Sequence, residues 1–224
     1  MTPVPLIKAT PWDTAAFGIP TWAVLEASEA ALRQAAQTPG HHTLRVHPLA
    51  DKRLLHEYKF YYCDTLVEPS CYAARLCATR HPDATISKHV DAKLLLAICH
   101  GAFAHGRFHR DFNLSKASAD RRYDNWLQQL LEAQQVYGLY WRCELAGFIG
   151  YGRNKLVLHA LAKKHRGNGL SKYWWSAVCE TLMANGCKSV KSSISVTNLA
   201  ALNLYASLGF SFGNPQDIYH CLVR

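Results

Sequence analysis

The apolar positions of the chain cluster first over residues 21–25, which predicts a short strand. It is entered through Trp12, Asp13, Phe17, Gly18 and Pro20, a stretch whose Gly and Pro punctuate the backbone between two aromatics. A helical pattern over 26–37 leads through Pro39 and Gly40 to a strand over 42–46, a second helix over 49–58 and an alternating strand over 60–67. Pro69 and Pro82 bracket the next stretch, and a new helical pattern begins at Asp83, read as its cap, ahead of Ile86, Val90, Leu94, Leu95 and Ile98. The expected organisation is a smaller domain over residues 1–80 and a larger one over 81–224.

In the larger part, Arg107, Phe108, His109, Arg110, Asp111 and Phe112 form a charged, aromatic loop that ends at Ser115. Ser115 is an N-cap for a helix with Tyr123, Trp126, Leu127, Leu130 and Leu131 on its apolar face. Strands over 136–142, 145–152 and 155–162 follow, then a helix over 170–184, a strand over 189–196, a helix over 199–208 and a closing strand over 217–223. A shift of 150 lays Leu49, Ala50, Leu54, Phe60 and Cys71 onto Leu199, Ala200, Leu204, Phe210 and Cys221, which points to an internal duplication. In that comparison Asn198 and Tyr205 face Pro48 and Leu55, so polar residues able to do chemistry survive only in the later copy.

Composition narrows the class. With 224 residues and 49% hydrophobic content the chain can bury one large α/β core or two small ones. No apolar run approaches the roughly 20 residues of a membrane span. The formal charge of +9 favours an anionic partner, but no helix-turn-helix, zinc-finger or RNP pattern accompanies it, so no nucleic-acid partner is expected. Eight scattered cysteines with no C-x-x-C pair read as reduced thiols, and no metal site is expected. Pro3, Pro5, Lys8 and Asp13 do not form a signal peptide, which gives a cytoplasmic expectation.

The strongest local chemistry is Lys163-Lys164-His165-Arg166-Gly167-Asn168-Gly169-Leu170-Ser171, a basic glycine-containing loop between a strand and a helix. Backbone N–H groups of such a loop converge on an anion while the helix N-terminus adds partial positive charge, and a diphosphate suits it. The loop is neither a dinucleotide fingerprint nor a Walker loop, and a solvated turn with a run of charge is the alternative. About thirty residues on, the segment from Asn198 to Phe210 carries Ala201, Tyr205 and Gly209 at fixed spacing.

Together the two segments resemble the GCN5-related N-acetyltransferase (GNAT) family, whose R-x-x-G-x-[G/A] loop binds the acetyl-CoA pyrophosphate. Arg166 and Gly169 match that loop, with Ser171 in place of its last small residue, and Asn198, Ala201, Tyr205, Gly209 and Phe210 match the family's later helix. A narrower resemblance, to the subgroup containing dTDP-fucosamine acetyltransferase, rests on Trp12-Asp13 with Phe17-Gly18 and on the run Arg107 to Asp111 followed by Tyr123 and Trp126. Here Ala16 stands where that subgroup has a second aromatic. The resemblance implies an α/β (α+β) GNAT fold, a mixed central sheet flanked by helices, preceded by a truncated GNAT-like N-terminal half. It also implies acetyl-CoA as cofactor, held by Ala160, Leu161, Lys164, His165, Arg166, Gly167, Asn168, Gly169, Leu170, Ser171, Asn198 and Tyr205, and it suggests a homodimer.

Acyl transfer to an amine needs a neutral nucleophile, an oxyanion stabiliser and a proton for the departing thiolate. Backbone N–H groups over residues 159–161 are placed to bind the oxyanion, and Tyr205 is the candidate acid, with a core tyrosine as the alternative. His159 is the candidate base, against a satisfied structural histidine, Asp111 or a water chain; Asp111 also reads as the partner of Arg107 or Arg110 in its own loop. Trp174 and Trp175 read as core, with cofactor-side packing as the alternative. The expected activity is N-acetylation of a small-molecule amine, best a nucleotide-linked amino sugar. The alternatives are a protein lysine or N-terminus, another metabolite amine, or a non-catalytic acyl-CoA-binding module.

Overall fold

The computed structural model describes residues 5–224; Pro3, used in the signal-peptide reading, lies outside them. By their contacts the residues divide into two units, each discontinuous in sequence. The first runs to Leu66 and takes back Phe103–Arg122 and Pro215–Arg224, and the second comprises Val67–Ala102 and Tyr123–Asn214.

The first unit starts with β1 (Ile7–Ala9), α1 (Pro11–Phe17), β2 (Thr21–Val24), α2 (Glu29–Ala36), β3 (Gly40–Val46) and α3 (Arg53–Glu57). Where the sequence suggested only a turn, α1 forms because Pro11 is preorganised for its first position and Gly18, at φ 72°, closes it by bonding the Thr14 carbonyl. Helix α2 starts later than its pattern, at the Ser28 cap whose Oγ accepts the Ala31 N–H at 3.3 Å, and it buries Ala31, Leu32 and Ala35. These side chains pack on Val24, Leu44, Val46, Leu55, Phe60 and Tyr219. Strands β1 and β2 pair antiparallel and β2 and β3 parallel, in the register Thr21↔His41.

Strand β4 (Tyr61–Tyr72) passes from the first unit into the second, which holds β5 (Ala84–Ser87), α4 (Ala92–Cys99), β6 (Val136–Trp141), β7 (Glu144–Gly152), β8 (Lys155–Leu161), α7 (Ser171–Ala184), β9 (Ser189–Ser192), β10 (Ile194–Ser195) and α8 (Leu199–Ser207). Between them in sequence come α5 (Arg107–Arg110) and α6 (Lys116–Glu132), and β11 (Ser211–Val223) closes the chain, its second half in the first unit. The helix expected to start at Asp83 is corrected: residues 84–87 pair antiparallel with β6, and the helix begins at Asp91, whose carboxylate accepts the N–H groups of Lys93 and Leu94. Sheet pairing here overrides a local pattern that suits either element. Strands β5 to β8 form an antiparallel run, β9 joins β8 parallel, and Trp174, Val178 and Leu182 of α7 pack among Leu139, Ile149, Leu156 and Tyr205.

The shift of 150 recurs at the level of elements, because β3, α3 and β4 fall on β9–β10, α8 and β11. The pairings correspond as well: in the first unit β3 pairs antiparallel with β11, and in the second β9 pairs antiparallel with β4. Each unit is thus completed by a strand from the other half of the sequence.

A buried polar cluster in the first unit corrects the reading of Asp111 as a partner of its own loop's arginines. Its Oδ2 accepts from His41 Nε2 at 2.8 Å and from His220 Nδ1 at 2.7 Å, while Oδ1 accepts from the Tyr61 hydroxyl at 2.9 Å and the Asn113 N–H at 2.8 Å. Arg110 instead pairs with Asp64 at 3.1 Å. Burial alone would raise the Asp111 pKa, but the bonds from His220 and His41 outweigh it and hold the carboxyl below its usual range. His41, Asp111 and His220 are of metal-ligating type and lie together. Their N···O separations of 2.7–2.8 Å are those of hydrogen bonds, shorter than the roughly 3.3 Å that two ligands span across a tetrahedral ion with bonds near 2.0 Å.

Candidate active site

The site is built where two strands of the second unit part. Strands β8 and β9 pair only at Lys155↔Lys191 and Leu156↔Ser192. Beyond that point β8 continues along β7 to Leu161, whereas β9 ends and β10 pairs with β4. The Ala162 N–H bonds the Ala146 carbonyl at 2.8 Å, which fixes the alternation of the β7–β8 ladder. Ala160 is therefore bonded toward β7, and His159 and Leu161 turn their backbone groups toward the side β9 has left. Gly147 makes this approach feasible, since a Cβ there would lie 2.3 Å from the Ala160 carbonyl oxygen.

The basic loop follows directly. A 3₁₀ turn over Lys163–His165 leads to Arg166, whose Nε donates to the Leu161 carbonyl at 2.8 Å, so one V-shaped opening is tied to the loop beneath it. Gly167 and Gly169 lie at φ 77° and 68°, where L side chains are strained, and no atom stands within 4 Å of where their Cβ would be. That open cradle lies directly before the first turn of α7 at Ser171, where unbonded helical N–H groups gather, and it fits an anionic diphosphate. Leu170 occupies the cap position, and Asn168 Nδ2 bonds the Lys164 carbonyl at 3.1 Å, which holds the loop in shape. Lys164 pairs with Glu144 and lowers that carboxyl's pKa, while His165 is buried with its ring edge-on to Trp174. Arg166 is exposed at the rim.

Helix α8 presents Tyr205 to the same region. Asn198 caps it, its Oδ1 accepting the Ala201 N–H at 3.1 Å, so the side chain is spent on starting the helix. Gly209 ends it at φ 85° with its Cα hard against the chain at Arg75: a Cβ would come within 2.2 Å of that carbonyl oxygen. The Tyr205 hydroxyl lies 3.3 Å from Trp175 Nε1 and 3.3 Å from His159 Nε2, and it also bonds the Ser192 hydroxyl. Ser192 is the last paired residue of β9, so the phenol oxygen sits at the apex of the opening. Tyr205 is fully buried, and burial pushes its pKa up against the lowering effect of the Ser192 and Trp175 bonds. Burial likewise pushes His159 down to about 4, so its imidazole is neutral at neutral pH.

The structure thus brings His159 to Tyr205 and ties the loop 163–171 to Leu161 at the end of the same strand. Asn198 stands at a helix start and Ala160 faces β7. Trp175, read as core or cofactor-side packing, stands at the phenol, and Ser192 there escaped the sequence reading, because nothing local separates a buried donor at a site from an ordinary core residue.

Residues 105–210 match the profile of the Acetyltransferase (GNAT) family. No curated protein matches the chain. A GCN5-related N-acetyltransferase from Sphaerobacter thermophilus is similar in structure with a TM-score of 0.66 at 10% identity, covering 97% of this chain and 76% of its own. A tandem GNAT protein from the clavulanic acid biosynthesis pathway gives 0.56 at 12% identity, covering 92% and 76%. A GCN5-related N-acetyltransferase from Kribbella flavida gives 0.55 at 12% identity, covering 90% and 80%. At these identities the likeness is one of fold. The family match spans the loop, the strand opening and Tyr205, and acetyl-CoA is the cofactor that acetyltransferases of the GNAT family use.

Proposed function

We propose that the protein is an acetyl-CoA-dependent N-acetyltransferase acting on a small-molecule amine, best a nucleotide-linked amino sugar such as dTDP-4-amino-4,6-dideoxygalactose, by direct attack in a ternary complex. The observation that carries this reading is the parting of β8 and β9 with the glycine-containing basic loop at one end and the Tyr205 hydroxyl at its apex. When bound, acetyl-CoA supplies a thioester whose carbonyl carbon forms a bond to the amine nitrogen as its bond to sulfur breaks. In this reading the N–H groups at the α7 N-terminus and the Arg166 guanidinium hold the diphosphate. The His159 and Leu161 N–H groups, freed by the loss of β9, stabilise the oxyanion. Tyr205 gives its proton to the departing sulfur, and the proton shed by the acylated nitrogen restores the phenol, so the residues end as they began.

His159 belongs beside Tyr205 in this scheme. With its Nε2 turned to the phenol and its pKa near 4, its neutral imidazole is a weak base for an amine and orients the Tyr205 hydroxyl through their hydrogen bond. The excess of basic residues suits two diphosphate-bearing ligands. The reading also carries a truncated GNAT-like half over residues 1–80, a catalytic half over 81–224, a homodimer and a cytoplasmic setting.

Calorimetric titration with acetyl-CoA, followed by thiol release across amino-sugar nucleotides, polyamines and peptides, tests it. Binding with turnover on an amino-sugar nucleotide is the expected result. Turnover on peptides alone would move the acceptor to protein amines, and absence of acetyl-CoA binding would overturn the reading. Tyr205→Phe is expected to lower kcat by roughly 10²–10⁴ while leaving acetyl-CoA affinity near that of the wild type.

A further inference from the structure

We propose that Trp175 is a positioning residue for Tyr205: its indole N–H holds the phenol oxygen and stabilises the tyrosinate left when the proton departs. The inference rests on the reading of Tyr205 as proton donor. An indole N–H can only donate, whereas a tyrosine hydroxyl donates once and accepts twice. The 3.3 Å contact from Trp175 Nε1 therefore has one polarity, and it fixes which side of the phenol oxygen is an acceptor. The phenol's own proton is left to point elsewhere, toward His159 Nε2 at 3.3 Å or the Ser192 hydroxyl, whose own proton goes to the Leu156 carbonyl, until the departing sulfur takes it.

Three elements lock the arrangement. Trp175 lies on α7 and is 4% exposed, His159 lies on β8, and Tyr205 lies on α8. The His159 and Trp175 rings meet edge-on with centroids 5.0 Å apart and planes at 76°. The neighbouring Trp174 has a different employment, its Nε1 bonding the Tyr140 carbonyl at 2.9 Å, so the tandem tryptophans divide between sheet and phenol. A donor that cannot accept, aimed at the atom that gains negative charge, strengthens as the charge develops. During turnover the O–H bond of Tyr205 breaks as the S–H bond forms. The phenolate then keeps the Trp175 N–H until the proton from the acylated nitrogen restores it.

The test reads the hydrogen bond without cofactor and the chemistry with it. In a ¹⁵N–¹H spectrum of the unliganded protein, Trp175→Phe identifies the Trp175 indole resonance by its loss among those of the six tryptophans. Tyr205→Phe is expected to move that resonance upfield. An unmoved resonance overturns the proposal whatever the activity, and should Trp175→Phe fail to fold, sequential assignment of the wild-type protein identifies the resonance in its place. Trp175→Phe is expected to lower kcat about tenfold or more, with acetyl-CoA affinity within about twofold of the wild type. Wild-type kcat in Trp175→Phe beside an impaired Tyr205→Phe would remove the positioning role and leave the acid role intact. Wild-type kcat in Tyr205→Phe would remove the acid role and this proposal with it.

Discussion

Replacing Asp111 removes the acceptor of four donors at once, two of them on buried histidines and two half-buried. His41 Nε2, His220 Nδ1, the Tyr61 hydroxyl and the Asn113 N–H all converge on its carboxylate, and Asp111, His41 and His220 are each no more than 2% exposed. Hydrogen bonds to a charged group contribute about 1.5–3 kcal/mol each, and stranded donors lose their solvation as well. Histidine tautomers and the Tyr61 rotor recover part of this, so Asp111→Ala is expected to cost about 4 kcal/mol or more, a large share of the roughly 5–15 kcal/mol of a typical domain. Asp111→Asn keeps the shape but turns one acceptor into a donor, and about 2–3 kcal/mol is expected. Urea unfolding at pH 7.5, followed by tryptophan fluorescence with unchanged m, measures both.

The same cluster sets an acid limb. His220 is depressed to about 4, chiefly by burial, from an unfolded value near 6.5. The folded state holds it neutral while the unfolded chain takes up a proton. Its contribution is fully present above pH 6.5 and falls by up to about 1.4 kcal/mol per pH unit as pH drops toward 4. The depressed Asp111 contributes above its unfolded value near 3.9 and is lost only below it. Asp111 itself favours the imidazolium, so Asp111→Asn should extend the His220 window to lower pH rather than abolish it. A loss below about 1 kcal/mol in Asp111→Ala, or stability flat between pH 6.5 and 4, would refute this account of the cluster.

Two further substitutions probe the cleft. Arg166→Ala should weaken acetyl-CoA binding roughly tenfold in a calorimetric titration while the melting temperature hardly changes, because the side chain is exposed. Gly147→Ala would drive a Cβ onto the Ala160 carbonyl and force β8 aside; a loss of about 1–3 kcal/mol in chemical denaturation is expected, with weaker acetyl-CoA binding, and normal stability would contradict the close approach.

The loop over 163–171 and the helix from Asn198 were legible because their signals are local. Glycines at positive φ, a run of basic residues and a capping Asn act within a few residues, and backbone geometry turns them directly into an open loop and a helix start. The apolar periods of α6, α7 and the strands β6 to β8 were equally readable, since each needs only its own spacing to bury one face. The strand at 84–87 was not, because its partner, β6, lies some fifty residues away and the same apolar residues suit a helix. Asp111 looked like the natural mate of its adjoining arginines, yet its bonds reach His41 and His220, which lie 70 and 109 residues away in the chain. His159 and Trp175 gained a bearing on chemistry only when α8 brought Tyr205 to them. Local residue patterns set which segments could bind an anion, start a helix or fill a core. Tertiary structure decided where β8 and β9 part, which strand completes each unit and which donors meet at one oxygen, because those depend on pairings between distant residues that no local period encodes.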